Sequence, residues 1–138
     1  MTASIYLFFD GDCAEAFRSY AKHLGGTIGV LLAYDATPAA ATVPEHWGKK
    51  IIHGRMMLDG LELLASDAPP GRYSRPQGFT VTLNTGSDAE AERIFAALSD
   101  GGAVREPMAE TFFATRYGTL TDRFAVPWMV LCERRPVP

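Results

Sequence analysis

The chain is poor in the residues that staple or metallate small proteins, with 2 cysteines, Cys13 and Cys132, and 3 histidines in 138 residues. Two cysteines exclude a secreted disulfide framework, and His46 and His53, seven apart with a basic segment between them, match no zinc spacing. Positive charge is also short, since 13 Lys and Arg against 16 Asp and Glu leave a net charge of −3. A nucleic-acid binder needs a basic stripe to displace counterions from phosphate, so that partner class is excluded. Long apolar runs are missing too. The longest near the start, Ile5 to Phe9, follows no basic segment and is too short for a signal-peptide core or a membrane span. The expectation is a cytoplasmic protein with no membrane partner. What is present is 47% hydrophobic and 11% aromatic residues. That suffices for one domain-sized core, because a chain of this length buries roughly two-thirds of its unfolded surface.

An internal repeat organises the chain. The run Ser4–Phe9 returns as Phe79–Asn84, 75 positions later, and each run precedes a helix signal. Asp12 stands before Cys13–Ala14–Glu15, and Ser87 before Asp88–Ala89–Glu90. Both have the form of a capping box, in which a short oxygen-bearing side chain takes free helix N–H groups and the glutamate reaches back. Ala14, Phe17, Ala21 and Leu24 form one helical stripe, and Ala91, Ile94, Phe95 and Leu98 form another. Gly25–Gly26 and Gly101–Gly102 are read as the helix stops.

Strand patterns follow each helix: Ile28–Tyr34, Ile51–Leu58 and Leu61–Ser66, then Val104–Met108, Phe112–Tyr117 and Val126–Cys132. Asp59–Gly60 is a two-residue hairpin turn. The fold class is therefore α+β, with two tandem βαβββ modules at about 1–68 and 78–133 and a linker of about 69–77 that is rich in proline and glycine. Asp35 to Lys50 reads as a long structureless loop, of the kind that is usually functional or mobile, and the tail Glu133–Pro138 is expected to fray. Asp67 and Asp122 are expected to anchor loops, and Asp10 to form a turn.

Several motifs are shared with a known family. They are Tyr6–Leu7–Phe8–Phe9–Asp10–Gly11–Asp12–Cys13–Ala14–Glu15–Ala16, Ile52–His53–Gly54, Ala65–Ser66–Asp67–Ala68–Pro69, Gly101–Gly102–Ala103–Val104 with Pro107, Glu110–Thr111–Phe112, and Tyr117 to Phe124 with Trp128. In these the chain resembles the vicinal-oxygen-chelate superfamily of glyoxalase I, extradiol dioxygenases and bleomycin-resistance proteins, and within it the PhnB-like branch, sometimes labelled 3-demethylubiquinone methyltransferase-like. The resemblance covers nearly the whole chain. It implies curved, cup-like mixed sheets with helices outside, a small organic ligand in the cup, and a homodimer. It does not imply one reaction, because this fold hosts several. The methyltransferase label lacks support in the residues: Gly25–Gly26–Thr27–Ile28–Gly29 follows a helix rather than a strand and opens no helix of its own.

Metal-dependent members place imidazole and carboxylate ligands on the first and last strands of each module. Here the first strands offer Tyr6 and Phe8, and Phe79 to Leu83, while the last strands offer Glu62 and Trp128 to Cys132. One carboxylate does not hold a transition metal, so the expectation is no metal and no cofactor. His53 is the candidate catalytic residue. Strand alternation puts it on one face with Arg55 and Met57, where imidazole and guanidinium together suit an anionic or carbonyl-bearing ligand. The competing reading has His53 hydrogen-bonded in the sheet and Arg55 paired with Glu62 across the Asp59–Gly60 turn. Relatives tend to carry an acidic residue where Arg55 stands.

The ligand-binding candidates are Tyr6, Phe8, Trp47, Arg55, Glu62, Tyr73 and Trp128. Trp47 and Tyr73 lie in the two long loops, beside Lys49–Lys50 and beside Arg72 and Arg75, where they would form an aromatic, basic rim. Their other reading is packing over a sheet edge or in a dimer interface. Cys13, at a helix start, is a candidate lowered-pKa thiol without a nearby histidine and otherwise a packed residue; Cys132 reads as core. Ser66 lacks the turn motif that exposes an acyl-transfer nucleophile. Three functions stand open: a small-molecule-binding protein of the bleomycin-resistance type, a divalent-metal lyase, isomerase or dioxygenase with a rearranged site including His53, and a metal-free acid–base enzyme centred on His53.

Overall fold

Apolar alternation makes the first run a strand. In β1 (Ile5–Phe9), Leu7 and Phe9 are buried while Tyr6 and Phe8 stand exposed on the opposite side. The structure, a computed structural model, describes residues 1–135 and divides into two units, Met1–Ser74 and Arg75–Pro138. In the first unit β1 leads into α1 (Cys13–Leu24), β2 (Thr27–Ala33), β3 (Ile51–Leu58) and β4 (Leu61–Asp67). The strand order is β1-β4-β3-β2, with β1 parallel to β4 and the other pairs antiparallel. The second unit repeats the plan with β5 (Val81–Asn84), α2 (Asp88–Ser99), β6 (Ala103–Ala109), β7 (Ala114–Thr121) and β8 (Pro127–Glu133) in the order β5-β8-β7-β6. The chain is thus α+β, two tandem βαβββ modules each with its own four-stranded mixed sheet, as the repeat predicts. No helix among the described residues is long and apolar enough to cross a membrane.

Each helix covers one face of its sheet. In α2 the buried residues are Ala91, Ile94, Phe95 and Leu98, the stripe read from spacing. In α1 they are Cys13, Ala16, Phe17 and Tyr20, so the stripe expected through Ala14, Ala21 and Leu24 is rotated about the helix axis. Cys13 and Tyr20 supply core contacts that a search for purely apolar residues passes over, and Phe17 meets Phe9 edge to face at 6.4 Å. Each such large side chain contributes roughly 1.5–3 kcal/mol on burial.

The helix starts differ from one another. At α2 the capping box forms: Ser87 Oγ accepts the Glu90 N–H at 3.1 Å, and Glu90 reaches back to the Gly86 N–H at 3.3 Å. At α1 it does not, because Asp12 makes no side-chain cap. Asp67, at the end of β4, takes that place, its Oδ1 accepting the Gly11 and Cys13 N–H groups at 3.0 and 2.9 Å and its Oδ2 the Ile51 N–H at 2.8 Å. Gly25, at φ 76°, ends α1 in the left-handed conformation. The Asp59–Gly60 turn has both residues at positive φ, 45° and 90°, as a two-residue hairpin of primed type requires.

Three segments correct the sequence reading. Residues 35–50 are not structureless: three short 3-10 turns, Tyr34–Ala36, Pro38–Thr42 and Glu45–Trp47, fold this span, closed by Tyr34 N–H to Lys50 O and Asp35 N–H to Gly48 O, both 2.9 Å. The strand expected at Phe112–Tyr117 begins at Ala114 and continues to Thr121. Thr111 holds Phe112 and Phe113 in a turn by accepting the Phe113 and Ala114 N–H groups on its hydroxyl. In the tail, Arg134 is tied to Phe113 O through its N–H and to Glu110 through its guanidinium, so that part is anchored; 136–138 lie outside the described residues.

Candidate ligand-binding site

Opposite α1, the first sheet presents a face with exposed Tyr6, Phe8, Val30, Leu32 and Met57. Strand register builds it in rows: Tyr6, Leu64, Arg55 and Val30 align across all four strands, while Phe8 stands beside Ser66 and His53 beside Leu32. The alternation expected for His53, Arg55 and Met57 is therefore present, with Gly54 and Met56 buried toward the helix. The Tyr6 hydroxyl lies 3.4 Å from His53 Nδ1, and the Tyr6 and Phe8 rings sit 4.9 Å apart. Arg55 Nε is 3.7 Å from Glu62 Oε2, and Ser4 donates to Glu62 Oε1 at 3.1 Å. The imidazole thus stands on the outward face with Tyr6, and Arg55 has the carboxylate partner that the competing reading expects. A depression of about 320 Å³ beside Phe8 is lined by Ala68, Pro69, Arg72 and Ser74. No ion pair engages Arg72 among the described residues. Tyr73 follows it, half-buried.

Two candidate residues stand elsewhere. Trp47 folds over the β1–α1 turn, where a Cβ on Gly11 would meet its ring at 3.0 Å. Lys50 Nζ lies 5.6 Å from the ring centroid and donates to Gly11 O at 2.8 Å. The indole is half-buried packing over a turn, with its Nε1 enclosed and unbonded. Trp128, expected to face a ligand, has no exposed surface: its Nε1–H donates to Asp122 Oδ2 at 2.9 Å. It alternates with Val130, whose partner Gly118 faces Phe95 of α2, which puts Trp128 on the helix side of the second sheet. Asp122 anchors its loop as expected, accepting the Phe124 and Val126 N–H groups.

The β1–α1 corner is electrostatically tense. Burial, then the neighbouring carboxylates of Asp67, Glu15 and Asp10, hold the Asp12 carboxyl above its ordinary range against a lowering backbone hydrogen bond. Its Oδ1 is enclosed without a partner. Burial, then Asp67 and Asp12, push the Cys13 thiol up, so this cysteine is a packed residue rather than an activated nucleophile. Cys132, read as core, is half-buried.

The second sheet's open face is polar. Glu106 Oε1 accepts from the Tyr117 and Thr119 hydroxyls, both at 3.1 Å, and Thr80 lies 3.1 Å from Thr82 through their hydroxyls. Burial first, then the hydrogen bond and charge of Glu106, raise the Tyr117 hydroxyl above its ordinary value. Sequence reading missed this group. The available signal was the Thr80-x-Thr82 and Tyr117-x-Thr119 alternation, which puts hydroxyls on one strand face.

Residues 2–131, nearly the whole chain, match the family described as 3-demethylubiquinone-9 3-methyltransferase. The chain belongs to that family. A similar curated relative, protein YjdN of Escherichia coli, is 30% identical over 138 residues, 94% of each chain. Among solved structures, protein PA1353 from Pseudomonas aeruginosa is 43% identical with a TM-score of 0.88, covering 98% of this chain and 99% of its own. The fosfomycin resistance protein FosX from Mesorhizobium loti, 8% identical with a TM-score of 0.60 over 97% of this chain and 92% of its own, shares the fold. The 3-demethylubiquinone-9 3-methyltransferase family thus has the vicinal-oxygen-chelate fold in this member.

The residues present fit neither an adenosyl cofactor on the Gly25–Gly26 segment nor a divalent metal on His53 and Glu62. For an adenosyl cofactor, the Gly25–Gly26 pair is committed to structure, Gly25 as the α1 stop and Gly26 against Met56 and Leu58. For a divalent metal, no three His, Cys, Asp or Glu side chains gather as a ligand set among the described residues. His53 meets Tyr6 rather than a carboxylate, and Glu62 is engaged by Ser4 and Arg55.

Proposed function

We propose that this protein binds a small organic molecule with an apolar, planar body and an acidic group on the open face of its first sheet, without a transition metal. The observation that carries the reading is the convergence on one face of exposed Tyr6 and Phe8 with the outward imidazole of His53, beside the Phe8 depression whose rim holds Arg72. Aromatic faces take a flat body through their large contact area, and His53 and Arg72 supply the polar orientation that such sites use sparingly. Arg55 contributes less to an anion, because Glu62 already balances it.

The test is titration of the isotope-labelled protein with benzoate and with benzamide, followed by amide shifts. Benzoate is expected to shift Tyr6, Phe8 and His53 saturably and to bind more tightly than benzamide. His53→Ala is expected to weaken benzoate about tenfold while the melting temperature of the free protein changes little. Unchanged benzoate binding together with a lowered melting temperature would place His53 in the framework and remove the reading.

A further inference from the structure

The second module holds a pocket that owes nothing to the first module's face. Along β6, Val104 pairs with Leu120, and regular antiparallel register would next set Arg105 opposite Thr119. Instead Glu106 pairs with Thr119, which leaves Arg105 as the extra residue of a bulge. A bulge sets two residues opposite one and re-aims their side chains. Here the two are oppositely charged neighbours, and both line a depression of about 360 Å³ with Thr80, Tyr117, Thr119 and Met129.

Neighbouring strand residues ordinarily face opposite sides, whereas these two line the same depression and still form no ion pair with each other. The Glu106 carboxylate is fixed by two hydroxyls on a single oxygen, Oε1, which leaves Oε2 available. Among the described residues no ion pair engages either Glu106 or Arg105. The pocket therefore offers one placed carboxylate, one guanidinium, the Thr80 hydroxyl, and the apolar surface of Met129 and the Tyr117 ring.

We infer that this pocket binds an amino-acid-type zwitterion, its ammonium on Glu106, its carboxylate on Arg105 and its apolar side group against Met129 and Tyr117. Hydrogen bonds between ionised partners are the strong ones, and a guanidinium matches a carboxylate through two parallel N–H groups. A ligand with only one charge would leave one of the two groups unmatched, and that mismatch is the source of selectivity.

Three probes with the same body separate the contributions: phenylalanine, phenethylamine and 3-phenylpropionate, each titrated at pH 7 into the isotope-labelled full chain. Phenylalanine is expected to shift the amides of Thr80, Arg105, Glu106, Tyr117 and Thr119 saturably, with the amine and the acid each about tenfold weaker. Glu106→Gln and Arg105→Gln are each expected to weaken phenylalanine about tenfold, with the amides of α2 and β8 in the same module unmoved as the check on folding. The proposal is overturned if phenylalanine produces no saturable shifts in this module, if the three probes bind alike, or if both variants bind it as the parent does.

Discussion

Asp12 and Asp67 flank the start of α1 and are close enough to repel, yet the same substitution should act on them in opposite directions. Asp67 accepts three backbone N–H groups on its two oxygens. In Asp67→Asn one oxygen becomes an NH₂ that must face an N–H, and a loss of about 2–4 kcal/mol is expected. Asp12 has an enclosed, unbonded oxygen and a carboxyl pushed up chiefly by burial. A carboxyl whose folded pKa is raised costs stability once it ionises, so its contribution is intact below the unfolded value and lost as pH rises through the folded one. Asp12→Asn should therefore raise the melting temperature at pH 7 by roughly 2 °C, allowing for partial exposure to water, and the gain should vanish as pH falls toward 4. Thermal melts of the two variants between pH 4 and 7 check both; a destabilised Asp12→Asn at pH 7 would show that its charge is matched by a partner. Sequence could not tell these residues apart. Asp12 stands at the cap position and Asp67 lies 54 positions from the N–H of Cys13 that it caps, so only the β1–β4 pairing decides which carboxylate does the work.

At the scale of elements, what was legible was what rests on local pattern. The repeat, both helices, the Asp59–Gly60 turn and the outward face of β3 all follow from periodicity or turn chemistry within a few residues. The rotated stripe of α1 and the bulge at Arg105–Glu106 depend on partners distant in sequence, and periodicity is blind to them; the 3-10 turns of residues 34–47 rest on local bonds three residues apart and are too short to show a period. Gly102 shows how a correct signal can stand for a different cause. Read with Gly101 as a helix stop, it is required by close approach: a Cβ there would lie 2.4 Å from Thr121 O and 2.9 Å from the Asp122 Cα. Those atoms are backbone and cannot swing aside. Gly102→Ala should push β6 away from β7 and cost about 3 kcal/mol or more, at or above the top of the roughly 1–3 kcal/mol typical of an overpacked side chain. Denaturant unfolding measures this, and a change under 1 kcal/mol would mean that the α2–β6 connection gives way freely.

Across the whole molecule, two copies of one plan have acquired different chemistry. The first sheet shows aromatic rings and an imidazole, and the second shows a carboxylate held by hydroxyls. Transition metals are held by imidazole, thiolate and carboxylate groups brought together, and the chain spreads its histidines and cysteines apart. His53 lies on β3, His46 in a 3-10 turn, and His23 in the last turn of α1. Cys13 is enclosed with its thiol pushed up, which opposes the thiolate that a metal would require. Among the described residues no set of three candidate ligands assembles. Metal that binds only the folded state would raise its melting temperature, by the equivalent of about 2.7 kcal/mol at a hundredfold excess over Kd. Zinc, nickel, manganese and ferrous iron are therefore expected to leave the melting temperature of untagged protein unchanged, with substoichiometric metal by elemental mass spectrometry. Stoichiometric metal that is abolished by His53→Ala would mean that the imidazole recruits ligands not gathered in this arrangement, and a divalent-metal enzyme would become the leading reading of the first module.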